Sequence, residues 1–101
     1  METVNGFFTQ VFKAKGDIVS RSIAGESFLI PIRGKLADMQ CIFALNPVAE
    51  YIWKHLDGKN NIEEIRNLVM NVFDVKEQEA DSDIQEFIED LLKSDLIVGA
   101  E

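Results

Sequence analysis

The sequence predicts an α+β fold, a small antiparallel sheet followed by a helical bundle. Three observations predict it. From Asp17 to Leu45 the apolar residues run in short stretches between turn signals, the pattern of strands. From Pro47 onward they recur every three or four residues, the pattern of amphipathic helices. The charge divides at the same place: residues 1–46 carry four acids and five bases, residues 47–101 fourteen acids and five bases. The net charge of −8 therefore belongs to the helical half.

The change of pattern falls at Leu45-Asn46-Pro47-Val48-Ala49-Glu50-Tyr51-Ile52-Trp53. Asn46 is a good N-cap, because its side-chain oxygen can accept from a backbone N–H one turn on. Pro47 suits the first helical position, where its missing N–H has no intrahelical partner and its φ is already set. Val48, Ala49, Ile52, Trp53 and Leu56 then share a helix face, so the third strand feeds directly into a helix bearing the single tryptophan.

At 101 residues the chain is one domain by length. Its single cysteine forms no intrachain disulfide and no multi-cysteine metal site. No run approaches the ~18 apolar residues of a membrane span, and the N-terminus has no signal-peptide pattern. The expectation is a cytoplasmic protein without membrane attachment.

Residues 1–16 read as an N-terminal arm and 17–101 as the domain. Phe7, Phe8, Val11 and Phe12 have the spacing of one helical face. Two uses suit them: packing on the chain's own core, or docking on a partner or second copy to make a homodimer. Ile18–Ile23 and Glu26–Ile32 read as a hairpin about Ala24-Gly25, with Phe28, Ile30 and Ile32 on one face. Pro31 cannot donate to a ladder and weakens pairing near the end of its strand. Gln40–Leu45 is the third strand.

The first helix runs over about Pro47–Leu56 and stops at Asp57-Gly58. Asn61 and Glu64 make a capping box for the second, whose apolar face is Ile65, Leu68, Val69 and Val72. The third helix spans about Lys76–Ser94 on a stripe of Ile84, Phe87, Ile88, Leu91 and Leu92, and Asp95–Val98 folds back as an apolar tail. Three strands and three helices, the last two joined by a tight turn, are the elements of a winged helix-turn-helix-like bundle.

The helical half resembles the PqqD-like family, the pyrroloquinoline-quinone biosynthesis protein D group. The resemblance rests on Leu45-Asn46, Ala49, Ile52-Trp53, Asp57-Gly58, Ile65, Phe73-Asp74-Val75, Asp83-Ile84, Phe87, Leu91 and Leu96-Ile97, over roughly residues 40–98. Pro47-Val48 replaces a more usual polar pair, and the segment before Asp17 is longer than the family leads one to expect. The resemblance implies a precursor-peptide recognition element. Such a domain binds the leader of a ribosomal precursor peptide and presents it to a modifying enzyme, often a radical S-adenosylmethionine enzyme. The leader would add as a strand to Gln40, Cys41, Ile42, Phe43 and Ala44. It would lie against Ala80, Asp83, Ile84 and Phe87 of the third helix, which share one side at i, i+3, i+4 and i+7. Strand addition also has an independent physical basis, since an edge strand offers unpaired N–H and C=O groups.

Catalysis has little to stand on. His55 and Cys41 are the only residues of their kinds and lie on different elements, with no third group to orient a base. No cofactor or metal is expected. The rival reading by fold alone is a winged-helix DNA-binding module, or a dimerisation or regulatory module. Against DNA stands charge. The third helix would bring Glu77, Glu79, Asp81, Asp83, Glu86, Glu89 and Asp90 towards phosphates, with only Lys76 and Lys93 to offset them. Those acids otherwise read as a solvated helix face, or in part as a contact for basic residues of a leader or an enzyme.

Overall fold

The computed structural model describes residues 6–16, 18–31 and 43–100. The element order is α1 (Gly6–Thr9), β1 (Val11–Ala14), β2 (Ile18–Ile23), β3 (Glu26–Pro31), β4 (Phe43–Leu45), α2 (Pro47–Lys54), β5 (Asp57–Asn61), α3 (Ile62–Val72), α4 (Glu77–Lys93) and β6 (Ile97–Gly99). The fold is α+β with antiparallel pairing throughout the described strands. Among the described residues it holds two three-stranded sheets, ordered β2-β3-β4 and β5-β1-β6, where a single sheet was expected. No helix among the described residues is long and apolar enough to cross a membrane.

The first sheet is the expected meander. β2 and β3 pair from Ile18↔Pro31 to Ile23↔Glu26, and β4 pairs with β3 at Ser27↔Leu45, Phe28↔Ala44 and Leu29↔Phe43. The turn at Ala24-Gly25 has φ of 54° and 83°, the left-handed region that glycine enters without steric cost. The pleat also decides which face of β3 is the inner one. Leu29 is fully buried while Phe28 and Ile30 are half-buried, so the core-facing side of β3 is the Leu29 side, shared with Phe43 and Leu45.

The second sheet was not expected. The helical face read into Phe7, Phe8, Val11 and Phe12 is only one turn long; the chain then extends, and Val11–Ala14 becomes the central strand between β5 and β6. One isolated turn buries little, whereas a central strand satisfies backbone groups on both sides. Phe12 is buried, and Phe7 and Phe8 pack against the same core. Of the two uses, packing on the chain's own core is the one seen for Phe7, Phe8 and Phe12, and Val11–Ala14 pairs within a sheet. Asp57–Asn61, read as a stop and a cap, is also a strand. Its bend is set by Gly58 at φ 81° and by the Asp57 carboxylate, which accepts from the backbone N–H groups of Lys59 (2.9 Å) and Asn60 (3.2 Å). The apolar tail turns at Asp95 (φ 61°) and pairs with β1 as β6.

The three longer helices follow their local signals. Asn46 caps α2 by accepting from Ala49 N at 2.7 Å, with Pro47 at its first position. The capping box of α3 is complete: Glu64 N donates to Asn61 at 2.8 Å and Asn61 N donates to Glu64 at 2.7 Å. α4 buries Ala80, Ile84, Phe87, Ile88 and Leu91. Two apolar positions assigned to inner faces lie outside: Val72 is 57% exposed and Leu92 44% exposed, because each sits at the rim of its stripe in the last turn of its helix.

Candidate peptide-binding groove

β4 is only three residues long and pairs on one side with β3; among the described residues no strand covers its other side. The chain leaves β4 through Asn46 and turns at once into α2, because the asparagine cap and Pro47 start the helix there. α4 packs against α2 and brings its middle turns to the same place. Between the three elements lies a groove of about 300 Å³. Phe43 and Ala44 line it from β4, Asn46, Val48, Ala49 and Ile52 from the start of α2, and Asp83, Glu86, Phe87 and Asp90 from α4.

The floor is apolar and fixed. The Phe43 and Phe87 rings meet edge to face, 6.0 Å between centroids and 62° between planes, a geometry aromatic pairs prefer. Phe87 is 9% exposed and Ile52 1%, so both belong to the core and show the groove only an edge. The rim on the α4 side is acidic, with Asp83, Glu86 and Asp90 all exposed. An edge strand offering backbone groups beside an apolar trough can hold an extended peptide. The ladder supplies affinity and the trough selects alternate side chains.

Of the nine residues expected to bind peptide, Phe43, Ala44, Asp83 and Phe87 come together in this groove. Ala80 and Ile84 do not; they are 1% and 0% exposed and belong to the core, because their turn of α4 faces inward. Gln40, Cys41 and Ile42 lie outside the described residues. Sequence reasoning missed Asn46, Val48, Ala49 and Ile52 as groove residues, and took Glu86 and Asp90 only as members of an acidic helix face that could in part meet basic residues of a leader or an enzyme. The signal for these two was present, since Glu86 and Asp90 stand three and seven residues after Asp83 and so share its face. The α2 residues carried no such signal, because nothing local says that the first turn of α2 faces α4 across a gap.

The other chemistry-bearing residues lie elsewhere. His55 caps the end of α2, its Nδ1 2.9 Å from the Tyr51 carbonyl oxygen and its ring 4.5 Å from the Tyr51 ring, and it does not line the groove. Among the described residues no three histidine, cysteine or acidic side chains gather as metal ligands. Asp57 has its carboxyl held below the usual carboxylate range, chiefly by the Lys59 N–H and next by that of Asn60. It stands on β5, outside the groove.

No match to this chain is found among the curated proteins. Among solved structures, the fold is similar to that of TbiB1 in complex with the TbiA(beta) leader peptide, at a TM-score of 0.68 and 24% identity. The match covers 88% of this chain and 98% of that one. The family model described as Coenzyme PQQ synthesis protein D (PqqD) matches residues 29–97, from the core-facing Leu29 of β3 to the first residue of β6. With β4, α2, α3, α4 and the whole groove inside that match, this chain belongs to the PqqD family.

Proposed function

We propose that this protein is a non-catalytic adaptor for the leader of a ribosomal precursor peptide. The leader adds as a strand to the outer edge of β4, lies in the groove against α4, and is presented to a modifying enzyme such as a radical S-adenosylmethionine enzyme. The observation that carries this reading is the juxtaposition of a strand edge, which no strand among the described residues covers, with an apolar trough along one helix. Membership of the PqqD family supports it, as does the likeness to a fold held in complex with a leader peptide. On this reading β2-β3-β4 with α2, α3 and α4 form the winged-helix-like recognition unit, the second sheet packs on it through β5 against α3 and β6 against α4, and the adaptor works in the cytoplasm.

DNA binding is disfavoured by charge. α4 carries seven acids between Glu77 and Asp90 and a single base at Lys93, whereas affinity for a duplex comes from neutralising phosphates with lysine and arginine.

The test is a titration of ¹⁵N-labelled protein with synthetic leader segments of candidate precursor peptides. Amide shifts are expected at Phe43–Leu45 and across Asp83–Asp90. Shifts confined to α3 or to the β2–β3 hairpin would reject strand addition at β4.

A further inference from the structure

The groove has a charge as well as a shape, and five of the seven acids of α4 fall either beside Arg66 or along the groove. On one side Arg66 of α3, its side chain 14% exposed, gathers Glu63 at 3.6 Å, Glu77 at 3.4 Å and Asp81 at 3.2 Å. On the groove side stand Asp83, Glu86 and Asp90, and among the described residues no base pairs with any of them. Helix stability accounts for Glu77 and Glu79, which complement the dipole in the first turn. It does not account for Asp90, which lies in the last turn of α4, where a carboxylate opposes the dipole. The three carboxylates face across an apolar floor formed by Phe43, Phe87 and Ala49. Together these features describe a trough whose occupant brings apolar and cationic groups side by side.

Spacing narrows the occupant further. At a rise of 1.5 Å per residue, Asp83 and Asp90 stand about 10.5 Å apart along α4. An extended peptide advances about 3.3 Å per residue and turns alternate side chains to one face. Residues two before and two after a central α4-facing residue are then about 13 Å apart, and the flexible stems of lysine and arginine absorb the difference. We infer that the groove selects a cationic extended segment, with an aliphatic or aromatic residue facing the Phe43–Phe87 floor and a lysine or arginine two positions to each side. The inference rests on the strand-addition reading above and adds the chemical class of the strand. Neutral and acidic segments are the competing occupants.

The probe is the synthetic peptide Ser-Thr-Lys-Thr-Leu-Thr-Lys-Thr-Ser, with two twins in which both lysines become glutamine or glutamate. Each is titrated into the labelled protein at low salt and again at about 1 M salt, where the screening length falls to about 3 Å. The lysine peptide is expected to shift Phe43–Leu45 and Asp83–Asp90. Two exposed ion pairs predict about a tenfold tighter Kd for it than for the glutamine twin at low salt, an advantage lost at high salt. The triple variant Asp83→Asn, Glu86→Gln, Asp90→Asn should reduce the preference to within about twofold of none. The control triple Asp74→Asn, Glu79→Gln, Glu89→Gln removes as many charges from exposed positions outside the groove and should leave the preference in place. Equal binding of all three peptides at the groove overturns the charge inference and leaves strand addition standing. Equal loss of preference in both triple variants also overturns it, by showing that net charge and not the groove is responsible. Failure of every peptide to move the groove amides removes the strand-addition mode and the charge inference with it.

Discussion

Trp53 shows how one side chain ties the sequence signal to the core. It is 9% exposed, next to the buried Ile52, on the helix that leaves β4. Trp53→Ala is expected to cost about 3–5 kcal/mol, because the loss of a buried indole leaves a cavity that the neighbouring helices cannot close. Urea melts of the two proteins check this, and a loss under about 1 kcal/mol would place the indole outside the core. Asp57 acts through its backbone partners instead. Lys59 N–H first, and Asn60 N–H next, hold its carboxyl below the usual range. A depressed folded value means that the contribution is complete above the unfolded value of about 4 and is lost as pH falls through the folded one. Asp57→Asn should therefore be destabilised relative to the parent at neutral pH, and the gap should narrow below about pH 4. Melts at neutral and acid pH measure that gap, and one that stays constant with pH would refute the role.

At the level of elements, the short strands carry more than their length suggests. β1 is four residues long yet pairs with both β5 and β6, and Lys15 at its end forms an ion pair with Asp95 at the turn into β6. Deleting Met1–Lys15 removes that central strand and buried Phe12. The expected result is loss of cooperative unfolding in a thermal melt followed by circular dichroism. A truncated chain that still melts cooperatively near the parent temperature would mean that β5 and β6 do not need β1. The helices were legible because their signals are local: Asn46-Pro47, the Asn61–Glu64 box and the stripe through Ile84, Ile88 and Leu91 each act within one or two turns. β1, β5 and β6 were not, because each is a strand only by virtue of partners that lie far along the chain. Asp57-Gly58-Lys59-Asn60-Asn61 has turn composition throughout and becomes a strand against Val11 and Lys13.

Across the whole molecule, Arg66 joins parts that the sequence keeps separate. It projects from α3, meets Glu77 and Asp81 of α4, and lies 5.6 Å from the centre of the Phe8 ring in α1. In a chain of net charge −8 it is the cation that three of the acids share. The partners are 27% to 62% exposed, so solvent screens much of the attraction. Arg66→Met should destabilise by about 1–2 kcal/mol at low salt, and by less at high salt where the surviving acids repel one another weakly. Denaturant melts at two ionic strengths check both parts, and a loss independent of salt would assign the effect to packing alone.

The groove divides between sequence and tertiary structure in the same way. Phe43, Ala44, Asp83 and Phe87 could be named from the chain, because an edge strand running into a capped helix and the face of a long amphipathic helix are local patterns joined by a family resemblance. Ala80 and Ile84 were placed in the groove by the same periodicity and belong to the core. A helix face is wider than a groove, and periodicity does not say where along it the neighbouring elements stop. Asn46, Val48 and Ala49 entered the site only through the packing of α2 beside α4. By itself the sequence determined where the three longer helices lie, which half is acidic, and that a short strand passes directly into α2. Only the tertiary structure decided that a second sheet forms about Val11–Ala14 and which turn of α4 opens to solvent, because both depend on contacts between residues remote in the chain, which no local pattern records.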